Sequence, residues 1–231
     1  MKLNRSTQRN HAMTLIEAAV VIFVIGFLVM LLLPALYSNR HYHHGPSCAN
    51  NLKQLNLSYL LWAGDNHDKL PMEVSVTNGG TMELMNTSDA WKVFQVMSNE
   101  LSTPKVIYCP EDTLRGNAAT NFGDDLKNKI SYFIGMDAIA SSAKSVLDGD
   151  DNLLINGSPV SGGLVVVASN SPVAWNDNRH VSVETHAWVF KTKTSYGYIG
   201  LGDGSVLPLK NSELVNQLRQ TSLATNRLVI P

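Results

Sequence analysis

The sequence predicts an α+β protein: one membrane-length amino-terminal helix, then a body in which a second helix packs on an antiparallel sheet. Three observations predict it. From Met13 to Leu36, 20 of 24 residues are apolar, the exceptions being Thr14, Glu17, Gly26 and Pro34. From Ser47 to Gly64, Leu52, Leu55, Tyr59 and Trp62 recur at three- and four-residue steps, the spacing of one helix face. Beyond Ile130 the chain is strand-like, with Asp203-Gly204 as a strong hairpin signal. The averages over 231 residues, 44% hydrophobic and 16% charged, hide this uneven placement. They are too apolar for a disordered chain, and two cysteines are too few for a disulfide scaffold. A net charge of −1 without a basic stripe argues against nucleic acid as a partner.

Residues 1–12 carry Lys2, Arg5 and Arg9 and no acid. The apolar run that follows would span about 36 Å as a helix, against about 30 Å for a hydrocarbon core. The sequence therefore predicts a single-pass span over 13–36. Positive-inside bias places the amino end in the cytoplasm and the body outside it. A cleaved secretory signal would have a shorter apolar region, about 7–15 residues, and a small-residue cleavage site. Glu17 is the anomaly. A carboxylate inside an apolar span is costly and a plain anchor has no use for it. It can pair with an α-amine at a newly made amino terminus, in the same chain or a neighbouring copy.

Gly45-Pro46 should break or kink a helix. The 47–64 segment resumes it as the second half of a spine, ended at Asp65-Asn66. Ser88–Leu101 reads as one further helix, capped by Ser88 or Asp89, with Trp91, Phe94 or Val93, and Met97 inward. Lys105–Cys109 reads as a strand ended by Pro110. Further strands are expected at 130–135, 163–169, 187–192, 196–201 and 205–209, with a type I′ turn at Asp203-Gly204. Asn211–Ala224 reads as an amphipathic helix through Leu214 and Leu218, and a short tail follows.

Ala12-Met13-Thr14-Leu15-Ile16-Glu17, with the basic leader and the apolar run, resembles the type IV prepilin signature. That family comprises type IV pilins and the pseudopilins of type II secretion. SCANNLKQL, MSNELSTPKVIYCPED and GYIGLGDGSVLPL are similar to bacterial prepilin-type cleavage/methylation proteins with C-x-NNLKQ, CP-x-D and DGSV motifs. The chain departs from the family pattern with Ala for Gly at Ala12 and Met for Phe at Met13. The resemblance implies a pilin-like fold, a long transmembrane helix packed on an antiparallel sheet, and the kink expected near Gly45-Pro46 departs from the continuous helix usual in that family. It implies a cleaved leader (1–12), an assembly helix (13–36) and a periplasmic domain (37–231). A prepilin peptidase would cut after Ala12 and N-methylate Met13. Glu17 would contact a neighbour's amine during filament assembly, and Pro34 would kink the helix. The expected partners are that peptidase, other copies of the chain and inner-membrane lipid. The alternative is a membrane-anchored binding or surface module that never polymerises.

The remaining candidates are weaker. Cys48 and Cys109 pair if the body meets an oxidising compartment, and otherwise stand as two structural thiols. Asp148, Asp150 and Asp151 gather oxygen ligands in an expected loop. They form a weak calcium candidate, but no glutamate completes an EF-hand pattern, and a solvated acidic turn is the preferred reading. His41, His43 and His44 lack a carboxylate that would complete a metal set. Gly200-x-Gly202-x-Gly204 precedes a hairpin and not a helix, so it is no dinucleotide fingerprint. Asp177, His180 and His186 show no triad spacing. No enzymatic activity and no cofactor are expected.

Overall fold

The computed structural model describes residues 15–36, 45–112, 114–176, 183–187, 190–194 and 196–230. The chain falls into two units, divided between Tyr42 and His43.

The first unit contains helix α1, Leu15–Leu36. Here the expectation of a membrane span is overturned. Among the described residues no helix is long and apolar enough to cross a membrane. The transmembrane assignment and the single-pass inner-membrane location are withdrawn with it. Pro34 lies in the last turn of α1, two residues before its end.

The second unit opens with α2, Gly45–Asp65. Among the described residues Gly45-Pro46 lies in the first turn of α2, and the residues before it, where a kink would join the two helices, lie outside the described residues. Proline fits a first helical turn because its missing N–H would have no intrahelical partner there. The expected inward face is observed: Cys48, Leu52, Leu55, Tyr59 and Trp62 are buried. At the other end, the Asn66 and Asp68 N–H groups both donate to the Ala63 carbonyl. The Asn66 side chain donates to the Trp62 carbonyl, so two carbonyls of the last turn of α2 are satisfied.

The single helix expected over 88–101 is two short ones, α3 (Lys92–Val96) and α4 (Ser98–Leu101), separated at Met97. Trp91, Val93, Phe94, Met97 and Leu101 are all buried. On one straight helix they would cover close to half the circumference, and the break lets each piece turn its own face inward. The strand expected at 105–109 is instead a 3-10 turn, Pro104–Ile107. Pro104 presets its first φ and the Thr103 hydroxyl accepts from the Lys105 N–H, which together favour a helical start.

The strands are β1 (Tyr132–Gly135), β2 (Val146–Asp150), β3 (Leu153–Ile155), β4 (Ser158–Pro159), β5 (Gly163–Ala168), β6 (Val173–Trp175), β7 (Val183–Ala187), β8 (Phe190–Thr194), β9 (Tyr196–Leu201) and β10 (Val206–Lys210). Helix α5, Asn211–Gln220, and strand β11, Thr225–Ile230, complete the chain. The main sheet is antiparallel throughout, in the order β10-β9-β2-β1-β11-β5. A smaller sheet runs β4-β3-β6, and β7 pairs with β8, replacing the single strand expected at 187–192. The expected tail is a strand between β1 and β5, and α5 stops four residues early.

The Asp203-Gly204 hairpin forms, but not through a type I′ turn. Gly204 alone in the loop has positive φ, +89°. The Gly204 N–H donates to the Leu201 carbonyl and the Leu201 N–H to the Ser205 carbonyl. This is a three-residue loop with glycine at its left-handed position. Two cores flank the main sheet. One, with α2, contains Tyr132, Ile134, Leu147 and Val229. The other, with α5 and β6, contains Phe133, Ile199, Trp175, Leu214 and Leu218. A Cβ on Gly197 would lie 2.6 Å from the Trp175 ring, so the indole sits directly against bare backbone.

Cys48 in the first turns of α2 is bonded to Cys109, which follows the 3-10 turn, across a sequence separation of 61. Beside it the Asn51 amide donates to the Tyr108 carbonyl at 2.8 Å. By loop-closure entropy such a link is worth up to about 4 kcal/mol. Cys109→Ser should lower unfolding stability by about 2–4 kcal/mol in urea titrations, with little further loss when reductant is added.

Candidate functional site

Two features carry chemistry: the surface of α1 and a nest of buried carboxylates under α2.

Along α1 the large apolar side chains are exposed on every face, with Leu15 at 89% and Phe23 at 75%. A folded monomer rarely leaves an apolar patch beyond a few hundred Å² uncovered. Glu17 sits in the first turn, where the positive end of the helix dipole favours a carboxylate. Ala12 and Met13, like His41, His43, His44, Asp177 and His180, lie outside the described residues. His186 falls in β7.

The acidic cluster corrects the reading of 148–152 as a solvated turn. Asp148 and Asp150 lie on strand β2, and Asp148, Asp150 and Asp151 are all essentially inaccessible. The cause is a register shift. Val146 pairs with Leu201 and Asp148 with Gly200, leaving Leu147 as an extra residue. A bulge re-aims side chains, so the successive residues Leu147 and Asp148 both reach the α2 side.

Gly200 is required by this arrangement. A Cβ there would lie 2.0 Å from Asp148 Oδ1 and 2.5 Å from Asn56 Oδ1. No hydrogen bond of ordinary geometry reaches either Asp148 oxygen, and the buried Asn56 Oδ1 and Tyr59 hydroxyl are likewise unpaired. Burial pushes the Asp148 carboxyl well above the ordinary carboxylate range, the Asp150 charge adds to this, and the Gly200 amide opposes it. Burial raises the Tyr59 hydroxyl too, with Asp148 adding to the effect. An Asp148 that keeps its proton can donate to Asn56 Oδ1, which removes a buried charge and an orphaned acceptor together.

Asp150 is also raised by burial, although the Tyr198 N–H donates to its Oδ2 at 2.7 Å and pulls the other way. A few residues on, the solution is ionic. Arg115 donates to Asp112 Oδ2 and to Asp151 Oδ2, each at 2.5 Å, and both carboxylates are fully buried. The Ser131 hydroxyl also donates to Asp112. Burial opposes the Arg115 charge, and Asp151 with Asp112 outweighs it, leaving the guanidinium more basic than usual.

Sequence reasoning found three of these carboxylates and missed their partners. Asp112 lies in the CP-x-D motif, which could have flagged it. Asn56, set among apolar positions of α2, was a second available signal. Arg115 gave none. Among the described residues no group of three or more His, Cys, Asp or Glu is arranged to hold a metal ion, which leaves the calcium candidate unsupported. The cluster is an interior polar network. Among the described residues α1 presents a large exposed apolar surface that could meet another macromolecule. Comparison with protein-family models, with curated proteins and with solved structures finds no match for this chain.

The raised Asp148 and Asp150 values fix a sign. A carboxyl raised in the native state contributes stability that is complete below its unfolded value, about 3.9. That contribution is lost as pH rises through the native value. The thermal midpoint should therefore fall as pH is raised from about 5 to about 8, and Asp148→Asn should flatten the slope without abolishing it. Arg115→Ala removes the cation that the buried Asp112 and Asp151 share, and should cost about 3–5 kcal/mol in chemical unfolding.

Proposed function

We propose that this chain is a structural subunit of a filament of the type II secretion or type IV pilus kind. A prepilin peptidase cuts after Ala12 and methylates Met13, and the subunit assembles by packing α1 against α1 of other copies. The observation that carries this reading is a helix apolar on every face with one carboxylate, Glu17, in its first turn. Such a surface needs a partner of equal apolar area, and another copy of the same helix is one. The motif Ala12–Glu17 supports the processing step. Within an apolar bundle an unpaired carboxylate is costly, so only a stagger that sets Glu17 beside a neighbour's amine is stable.

Mass measurement of the chain expressed with a prepilin peptidase should show a species beginning at methylated Met13. An intact Met1 under those conditions would refute processing. Glu17→Ala should fold normally and fail to assemble. Normal filaments from that variant would remove the register role, and a processed subunit that never self-associates would favour a non-polymerising binding module.

A further inference from the structure

The two edges of the main sheet are built differently. At one edge β10 contains Pro208 and ends in Lys210. Proline has no N–H for an incoming strand, and a lysine resists being covered, so this edge is protected against pairing. At the other edge β5 reads Gly-Leu-Val-Val-Val-Ala, with no charge and no proline. Its inner side pairs with β11 along its full length, from Gly163 opposite Ile230 to Ala168 opposite Thr225. Its outer side has no strand beside it among the described residues. Leu164 is 41% and Val166 56% exposed, while Val167 is buried in the core shared with α5.

A row of unpaired backbone donors and acceptors flanked by uncharged β-branched side chains has one complement, another extended strand. We infer that this strand is β5 of a second copy. The two strands would pair antiparallel about a twofold axis at Val165, making two main sheets continuous. A twofold axis perpendicular to the sheet keeps each residue on its own face. Centred on Val165, it sets Leu164 of each copy opposite Val166 of the other. The two exposed apolar side chains of the edge then cover each other, and no charges meet. The protected β10 edge prevents the head-to-tail alternative, so pairing closes at two copies instead of propagating.

One six-residue edge buries far less than the roughly 1,200 Å² of a standing protein interface. The contact is therefore weak alone, and it rests on the filament reading for the local concentration that α1 association would supply. Its role is lateral: it links bodies within an assembly held by α1.

The test is cross-linking between full-length chains. Cys48 and Cys109 are joined to each other, so an introduced cysteine is the only free thiol. Leu164→Cys mixed with Val166→Cys should form disulfide-linked pairs at least about tenfold faster than Ile139→Cys with itself, another exposed apolar position at 62%. Circular dichroism confirms that each variant is folded. Equal rates overturn the inference, whether or not filaments form. Repeating the mixture with Glu17→Ala at high concentration separates the two proposals. Cross-linking that survives there while assembly is lost supports the edge and the role of α1 together. Cross-linking with assembly unaffected by Glu17→Ala supports the edge and counts against the register role.

Discussion

Helix α2 must lie on a sheet face that carries acid. Asp148 and Asp150 project from β2 on the side that α2 covers, and burying ionised carboxylates is among the most costly things a fold can do. Three local devices make the close approach feasible. Gly200 leaves the space that Asp148 and Asn56 fill, the bulge at Leu147 turns Asp148 inward, and Arg115 bridges Asp112 and Asp151. Remove the approach of α2 and the apolar face of Leu52, Leu55 and Tyr59 loses its counterpart. The position of the sheet, the 3-10 turn and the α3–α4 pair all follow from that seating: the Ser58 hydroxyl donates to the Glu100 carbonyl of α4, and Asn51 to Tyr108.

Where one face of an element alone decides its structure, the sequence is readable. The Leu52–Trp62 face of α2 and Leu214 with Leu218 in α5 follow a helical period, and β5, β9 and β10 are short apolar runs beside glycines. Strand β2 reads as neither, because Asp148 and Asp150 are residues that strands disfavour, and composition therefore pointed to a turn. Its alternation is broken by the bulge, and the surroundings of its acids, the Tyr198 N–H at Asp150 and Asn56 beside Asp148, come from distant parts of the chain. The strand expected at 105–109 failed for the opposite reason. Apolar content was right, but Thr103-Pro104 starts a helical turn. β11 was missed because Asn226 and Arg227 interrupt its apolar run; Asn226 donates to the Leu218 carbonyl and Arg227 pairs with Asp137. Glu17 was legible as a charge out of place. The helix expected over 13–36 is present as α1, Leu15–Leu36, but among the described residues no helix is long and apolar enough to cross a membrane.

The two units of the chain answer different physical problems. The body hides its apolar residues in two cores and places its polar exceptions under strict control. α1 does the reverse, displaying apolar surface with almost no polar relief. A molecule so divided could associate through one unit while the other keeps its fold, which is the division of labour that the proposed filament and the proposed edge pairing both use.

The Cys48–Cys109 bond can finally be considered as a path for force. Any pull transmitted along the chain from α1 enters the body at the first turn of α2. A helix held only by its apolar face would peel from its end, one turn at a time, under small loads. The covalent link sits within that first turn and passes tension directly to the segment before β1, in the interior of the body. The load is then carried by bonds in parallel across two parts of the chain, and the packing of α2 on the sheet is sheltered from it.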